Sequence, residues 1–163
     1  MIGIIPMQSL HWNEVKRIYE EGIATRNATF ESSPPSWEIW DAAHLKNCRL
    51  VAVDGDYIAG WAALTLVSDR CVYAGVAEVS VYVDQNFRGK KIGSLLLQQL
   101  IINSENEGIW TLQAGIFPEN ESSLTLHEKY GFKIIGKRER IGKMDNVWRD
   151  TLLLERRSKT VGL

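Results

Sequence analysis

The sequence of 163 residues has few cysteines, no long apolar run and almost no excess of either charge. Its two cysteines, Cys48 and Cys71, are too few for a disulfide framework and have no metal-ligand spacing, so we expect a reducing cytoplasm and no bound metal. No stretch approaches the roughly 18 apolar residues of a membrane span, and the N-terminus lacks the pattern of a secretory signal. With 19 basic and 20 acidic residues, the net charge of -1 provides no general attraction to nucleic acid or to an anionic membrane.

Two nucleotide-binding patterns are missing as well. Residues 88–94 read Arg-Gly-Lys-Lys-Ile-Gly-Ser. This is not a Walker loop, because no Lys-Ser or Lys-Thr follows the glycine at its end. It is not the dinucleotide-binding fingerprint either, because the middle glycine of that motif is missing. This turn does have three basic residues and two glycines, and it lies between a predicted strand and a predicted helix. A helix N-terminus carries unpaired N–H groups and a partial positive charge. The turn is therefore either a phosphate or pyrophosphate cradle or a basic, solvated helix cap.

The hydrophobic periodicity predicts one mixed α/β domain over residues 1–155, followed by a polar tail at 156–163. Asp-Gly at residues 54–55 predicts a hairpin, and the breaker-rich stretch 27–35 predicts a loop that carries Phe30. Strands are predicted at 2–5, 50–53, 57–66, 72–83, 110–116, 132–136 and 151–154, and helices at 10–25, 36–47, 95–107 and 120–130.

The strand before the glycine turn alternates, so Glu78, Ser80 and Tyr82 share one face while the three valines between and after them occupy the other. Periodicity alone is satisfied if Glu78 is an outward charge on a half-solvated strand. Its place on the strand that leads into the turn instead favours a ligand site, because ligands of α/β folds gather there.

The order of these motifs resembles the GNAT acetyltransferases. In that superfamily a turn similar to residues 88–93 cradles the CoA pyrophosphate, and the strand before it is splayed from its neighbour. The resemblance is closer to the phosphinothricin and methionine sulfoximine N-acetyltransferase branch, and runs from about residue 28 to residue 150. It rests on Ala28-Thr29-Phe30-Glu31, Arg70, Tyr73, Glu78, Asn120, Leu126-His127-Glu128, Lys143 and Trp148-Arg149-Asp150. It implies the GNAT fold, a mixed, mostly antiparallel sheet splayed at the acetyl-CoA site and flanked by helices.

The resemblance implies an acetyl-CoA-dependent N-acetyltransferase that acts on the primary amine of a small, amino-acid-like molecule of the phosphinothricin or methionine sulfone/sulfoximine type. Direct attack in a ternary complex is expected, because neither cysteine has a base at recognisable spacing. The branch also implies a homodimer. Acetylation of a protein N-terminus or lysine, a catalytically inactive CoA-binding module and a nucleotide-binding protein remain alternatives.

The implied catalytic residues are Glu78 and His127. Glu78 would accept the proton of the amine, directly or through water, and His127 would protonate the departing thiolate, with Tyr130 or a water as alternatives. Main-chain N–H groups of Val81 to Val83 would stabilise the reacting oxygen. The implied cofactor-binding residues are Val81, Tyr82, Val83, Arg88, Gly89, Lys90, Lys91, Ile92, Gly93, Ser94, Asn120 and Lys129.

The implied substrate-binding residues are Phe30, Arg70, Cys71, Tyr73 and Glu78. The guanidinium of Arg70 offers a fork suited to a carboxylate or phosphinate. Asn120 has a second expected role as a helix cap, since it precedes a predicted helix. Lys91 is a departure from the family, because it stands where the motif usually has its middle glycine.

Overall fold

The computed structural model describes residues 1–163. Its sheet has seven strands in the order β1-β2-β3-β4-β5-β7-β6, and all neighbours are antiparallel except β4 and β5. None of the α-helices has the length and apolar character needed to cross a membrane. The elements are β1 Ile2–Pro6, α1 Trp12–Ala24, α2 Trp37–Ala43, β2 Arg49–Asp54, β3 Tyr57–Leu66, β4 Val76–Val83, α3 Ile92–Asn106, β5 Thr111–Ile116, α4 Glu121–Lys129, β6 Lys133–Met144 and β7 Val147–Arg157.

Hydrophobic residues cover both faces of the sheet, because alternate side chains of each strand point to opposite sides. On one face α3 packs Leu96, Leu97 and Leu100 against the strands, and all three are fully buried. On the other face Val15 and Ile18 of α1 pack with Trp40, Trp61 and their neighbours. Burial of each large side chain contributes about 1.5–3 kcal/mol to stability, so both faces are well supported.

The sheet opens between β4 and β5. These two strands pair only at Val76, Ala77 and Glu78, which lie opposite Thr111, Leu112 and Gln113. Beyond Glu78 the two strands diverge, so the β4 backbone has no strand partner on that side as far as Val83. Backbone polar groups that face such a gap remain available to a ligand.

Most predicted elements are confirmed within a few residues, including the Asp-Gly hairpin between β2 and β3. The predicted strand 72–83 is wrong at its start, because Cys71–Tyr73 forms a 3-10 turn and β4 begins only at Val76. The predicted helix 36–47 ends early, at Ala43. An added Cβ at Gly75 would lie 2.0 Å from the Trp110 ring, so this bend also requires a residue without a side chain.

The C-terminal strands are much longer than expected. Predicted strands 132–136 and 151–154 are instead the 12-residue β6 and the 11-residue β7. They are joined by Asp145-Asn146, both with positive φ, as a two-residue type I′ hairpin requires. After Arg157 the chain returns to the body of the protein, where Ser158 is buried and donates to Glu105 at 3.0 Å. The division into a domain that ends at residue 155 and a polar tail stays a prediction.

Candidate active site

The turn between β4 and α3 presents a row of free backbone donors. Gly89 and Lys91 adopt left-handed conformations, with φ of 78° and 63°, and α3 then begins at Ile92. The first backbone hydrogen bond of this helix runs from Leu95 N–H to the Lys91 carbonyl at 3.1 Å. The N–H groups of residues 92–94 therefore have no partner within the chain, and they lie at the positive end of the helix dipole. This geometry suits a phosphate or pyrophosphate group.

The start of the turn is fixed to α1 by a buried carboxylate. Asp84 follows β4, and its side chain accepts the Asn86 N–H at 2.7 Å and an Arg17 N–H at 2.8 Å. Arg17 also binds Glu14 and Glu21 of its own helix, at 2.8 and 2.6 Å. Since the buried charge is paired, it holds the turn in place without an uncompensated desolvation cost.

A first cavity of about 770 Å³ lies over this turn. It reaches from the end of α1, near Thr25, to the first residues of α4. The predicted cofactor residues that border it are Val81, Tyr82, Val83, Arg88, Gly89, Lys91, Ile92, Gly93, Ser94 and Asn120. Two predicted cofactor residues lie outside its wall: Lys90, whose ammonium is 5.0 Å from the Phe87 ring, and Lys129, whose ammonium is 5.6 Å from the Tyr130 ring.

A second cavity of about 510 Å³ lies along the polar face of β4. Glu78, Ser80 and Tyr82 border it together with Val79 and Val81 between them, and so does Phe30. The two cavities share Val81, Asn120 and His127 on their walls, along with Ala28, Tyr82 and Ser123. The splayed part of β4 therefore lies where the two spaces meet.

Glu78 is the last residue of β4 paired with β5, so its side chain lies at the point where the gap opens. The Gln113 amide donates to its carboxylate over a long contact of 3.5 Å. Across the gap, a Cβ added to Gly115 would lie 3.6 Å from the other carboxylate oxygen. The absence of a side chain at Gly115 thus leaves space beside a half-buried carboxylate.

His127 is 4% exposed and borders both cavities. Its Nδ1 lies 2.7 Å from the Ser123 carbonyl oxygen. A carbonyl only accepts, so Nδ1 carries the proton and Nε2 of the neutral ring carries a lone pair. Burial lowers the pKa of His127, so the neutral ring is favoured near pH 7. In that state Nε2 accepts a proton, and the ring becomes an acid only after it has done so.

The loop after α1, which forms part of the wall of both cavities, is clamped by Arg149 of β7. The Arg149 guanidinium donates to the Arg26 carbonyl and, at 2.8 Å, to the Asn27 side-chain oxygen. It also lies 4.0 Å from the Phe117 ring centroid, and the side chain is 14% exposed. Arg26 in turn forms a 2.7 Å ion pair with Asp145 in the β6–β7 turn. The loop is therefore attached to the hairpin at several points.

Asn120 joins the same loop to α4. Its side-chain oxygen accepts the Ser123 N–H at 3.3 Å, which is the expected helix cap. Its amide nitrogen donates to the Asn27 carbonyl at 3.1 Å. Phe30, farther along the loop, packs edge-on to Phe117 at 4.9 Å between ring centroids and lies over Gly142. The loop thus brings an aromatic ring to the wall of the second cavity.

Three predicted substrate residues are not brought to either cavity. Arg70, Cys71 and Tyr73 lie in the β3–β4 connection, where all three are exposed, and the Arg70 guanidinium is 5.5 Å from the Tyr73 ring. The second cavity instead takes its wall from the C-terminal hairpin, through Arg138, Ile141, Gly142 and Thr151. Sequence reasoning missed these residues. The signal was Asp145-Asn146 between two segments that can form strands.

No group of three or more histidine, cysteine, aspartate or glutamate side chains could hold a metal ion. Both cysteines are free, and burial raises the pKa of the Cys48 thiol to about 11.

Comparison with known proteins agrees with this geometry. YwnH of Bacillus subtilis, whose name assigns it provisionally to the phosphinothricin acetyltransferases, is 35% identical over 147 residues, which are 87% of this chain and 90% of the relative. An L-methionine sulfoximine/L-methionine sulfone acetyltransferase of Pseudomonas paraeruginosa is 27% identical over 144 residues, 85% of this chain and 84% of that protein. Among solved structures, a Sinorhizobium meliloti phosphinothricin acetyltransferase in complex with acetyl-CoA superposes with a TM-score of 0.87 at 25% identity, over 99% of this chain and 90% of that one.

A family model matches most of the chain. Residues 9–132 match the model of the acetyltransferase (GNAT) family, and they include β4, the glycine turn and α4. The splayed sheet and the free donors of the turn thus occur in the matched segment. The chain belongs to the acetyltransferase (GNAT) family and is an N-acetyltransferase.

Proposed function

We propose that the protein transfers an acetyl group from acetyl-CoA to the primary amine of a small, amino-acid-like molecule of the phosphinothricin or methionine sulfone/sulfoximine type. The observation that carries the proposal is the meeting of two cavities at Val81 and His127, with free backbone donors in one and Glu78 in the other. The names of the related proteins support this class of substrate.

The first cavity fits acetyl-CoA. The N–H groups of residues 92–94 would hold the pyrophosphate, and Arg88 and Lys91 would add positive charge. The unpaired edge of β4 would bind the pantetheine amides as a neighbouring strand does. When bound, acetyl-CoA supplies an acetyl thioester, which an uncharged amine can attack.

The residues of the junction would manage the protons of this reaction. A primary amine is mostly protonated near neutral pH, and Glu78 is placed to accept its proton in the second cavity. The neutral His127 ring would bind the reacting amine or a water through Nε2, take up a proton there and return it to the leaving group. Because burial lowers the pKa of His127, the ring releases such a proton readily.

The clamped loop favours a small substrate over a protein one. Acetylation of a protein N-terminus or lysine needs a groove that admits an extended chain. Here Phe30 lies against Gly142 and Phe117, and Arg149 holds the loop that carries it. A catalytically inactive CoA-binding module is disfavoured because Glu78 and His127 both border the second cavity.

The proposal is tested by mixing the protein with acetyl-CoA and a panel that contains methionine sulfone, methionine sulfoximine, phosphinothricin and lysine peptides, and by following thiol release. We expect turnover with the amino-acid analogues. Acetylation of the peptides alone would overturn the small-amine proposal, and tight acetyl-CoA binding without any turnover would support the inactive module.

The role of Glu78 is tested by Glu78→Gln, which keeps the shape of the side chain but cannot accept a proton. We expect kcat/KM to fall by about 100-fold or more, most strongly at low pH where free amine is scarce, with little change in the KM for acetyl-CoA. The control is Glu20→Gln, the same substitution at an exposed residue of α1 that borders neither cavity, and it should leave kcat/KM unchanged. An unchanged pH profile would remove Glu78 as the base.

We also propose that the protein is a cytoplasmic homodimer. Its free cysteines suit a reducing compartment. The 12-residue strand β6 lies at the edge of the sheet, with one side unpaired. It and the first two residues of β7 expose several large apolar side chains, namely Ile134, Ile135, Ile141, Val147 and Trp148. A long edge strand with exposed apolar side chains is normally covered, and a second copy of the chain would cover this one.

A further inference from the structure

The wall of the second cavity contains both acidic and basic side chains. Glu31 and Glu78 are its acidic residues, and Arg138 of β6 is its one lysine or arginine. An amino acid at neutral pH carries one cation and one anion. The cavity therefore offers a partner of opposite sign to each, provided that Arg138 is free to bind.

The strand registers place Arg138 on the same face of the sheet as Glu78. Glu78 pairs with Gln113, and Gly115, two residues on, lies on the same face of β5. Gly115 is opposite Leu153, which lies on the same face of β7 as Thr151. Thr151 is opposite Arg138. Two strands thus separate the carboxylate from the guanidinium, at different places along one cavity wall.

Arg138 is free, whereas Lys137 beside it and Arg149 on β7 are engaged. Lys137 lies 4.0 Å from Asp150, and Arg149 is occupied by the 26–27 loop and Glu119. Arg138 takes part in no ion pair and no side-chain hydrogen bond of the chain. Immediately after it the β6–β7 register shifts, and the irregularity brings Ile141 and Gly142 to the same cavity. Bulges beside active sites commonly aim a side chain in this way.

We propose that Arg138 binds the carboxylate of the substrate while Glu78 faces its amine, so that Arg138 makes the enzyme select amino acids over simple amines. This inference rests on the proposed function. A guanidinium binds a carboxylate through two parallel hydrogen bonds, which fixes the orientation of the amine as well as adding affinity. Arg70, the residue predicted for this role, lies against Tyr73 and borders neither cavity.

The test pairs Arg138→Gln and Arg138→Lys with methionine sulfone and its carboxamide, which differ only in the negative charge. For the acid, we expect Arg138→Gln to lower kcat/KM by about 10- to 100-fold, mainly through KM, and Arg138→Lys to lower it less. For the carboxamide, kcat/KM should change by less than about twofold, because the charged hydrogen bonds are absent from the start. The KM for acetyl-CoA should stay constant, which reports that the variants are folded.

The control is Arg140→Gln, which removes an exposed arginine of the same strand that borders neither cavity. Equal losses for the acid and the carboxamide, or no loss for either, would overturn the inference. So would loss of the discrimination in Arg70→Gln instead of Arg138→Gln. If the unsubstituted protein acetylates neither compound, the proposed function itself fails, and this outcome is separate from the others.

Discussion

Lys91 has a backbone conformation that a glycine adopts with less strain. Its φ of 63° and ψ of 21° are in the left-handed region, at the residue before α3. For a residue with a Cβ this conformation costs about 1–2 kcal/mol. The first cavity needs this bend, because it brings the free N–H groups of α3 to the cavity wall. The strain is therefore part of the site.

Lys91→Gly should stabilise the protein without ligand by about 0.5–1 kcal/mol, since relief of the strain outweighs the greater freedom of glycine in the unfolded chain. Chemical unfolding measures the change. The matched control is Lys90→Gly one residue earlier, where φ is not positive and glycine should destabilise. If both variants lose stability equally, the strain at Lys91 is not real.

At the level of single residues, the sequence predicts where the turn lies but not the backbone conformation of Lys91. The motif predicted the turn where the structure has it, and Glu78 and His127 both border the second cavity. The positive φ of Lys91 could be suspected only from its place in the family pattern, because lysine gives no signal of a left-handed turn. Arg138 could not be singled out at all, since its importance depends on which side chains lie across the cavity from it.

At the scale of elements, the β6–β7 hairpin does more than close the sheet. Through Arg149 it holds the loop 26–27, and through Asp145 it holds Arg26. Arg149→Met keeps much of the length and removes these hydrogen bonds. We expect the loop to become mobile, the KM for the amine to rise by about 10-fold, and the KM for acetyl-CoA and kcat to change less.

Limited trypsin digestion gives a second measure of the same change. Cleavage after Arg26 should be slow in the unsubstituted protein and faster in Arg149→Met, because a protease needs a mobile segment. Arg140→Met is the control, since this exposed arginine of β6 makes no side-chain contact with the loop. Equal cleavage rates in both variants would mean that the clamp does not hold the loop.

The bounds of the β6–β7 hairpin are predicted less well from the sequence than those of most earlier elements. The elements up to β5 were found because their apolar periodicity is clear. β6 was predicted too short, because residues 137–140 are Lys-Arg-Glu-Arg and an edge strand exposed to solvent shows no alternation. The predicted strand 72–83 begins too early because the apolar residues Val72 and Tyr73 of the 3-10 turn lie close before those of β4.

For the molecule as a whole, buried histidines make stability depend on pH. Burial lowers the pKa of His44 and His127 below the value of about 6.5 expected in the unfolded chain. Below about pH 6.5 the histidines bind protons in the unfolded chain but not in the folded chain. The free energy of unfolding therefore falls as the pH falls. Each histidine accounts for up to about 1.4 kcal/mol by pH 5.5, and for nothing at pH 7.5 or above.

Urea unfolding at pH 5.5, 6.5 and 7.5 measures this dependence. His44→Gln, far from the cavities, should flatten the pH dependence while lowering stability at pH 7.5, because the 2.7 Å hydrogen bond to Trp40 and the stacking on its ring are weakened. A free energy of unfolding that does not change between pH 7.5 and 5.5 would contradict the expectation.

The proposed homodimer is tested by light scattering on the eluting protein. We expect twice the chain mass of 18.5 kDa at micromolar concentration. Ile134→Lys should give a folded monomer, since it places a charge on the exposed edge strand. Leu10→Lys replaces an apolar residue that is more exposed than Ile134 and lies away from β6, and it should leave the dimer intact. A mass of one chain for the unsubstituted protein would exclude the dimer.

Because β4 diverges from β5, different elements form the donor cavity and the acceptor cavity, and this affects how the protein can evolve. The walls that suit the acyl donor come from β4, the glycine turn and α4, whereas β5, β6 and β7 contribute only to the cavity that suits the acceptor. The residues that serve both are few, namely Ala28 in the loop after α1, Val81 and Tyr82 of β4, and Asn120, Ser123 and His127 at the start of and within α4. New acceptors can therefore be adopted by substitutions in the C-terminal hairpin, while the half of the chain that binds the donor is inherited unchanged.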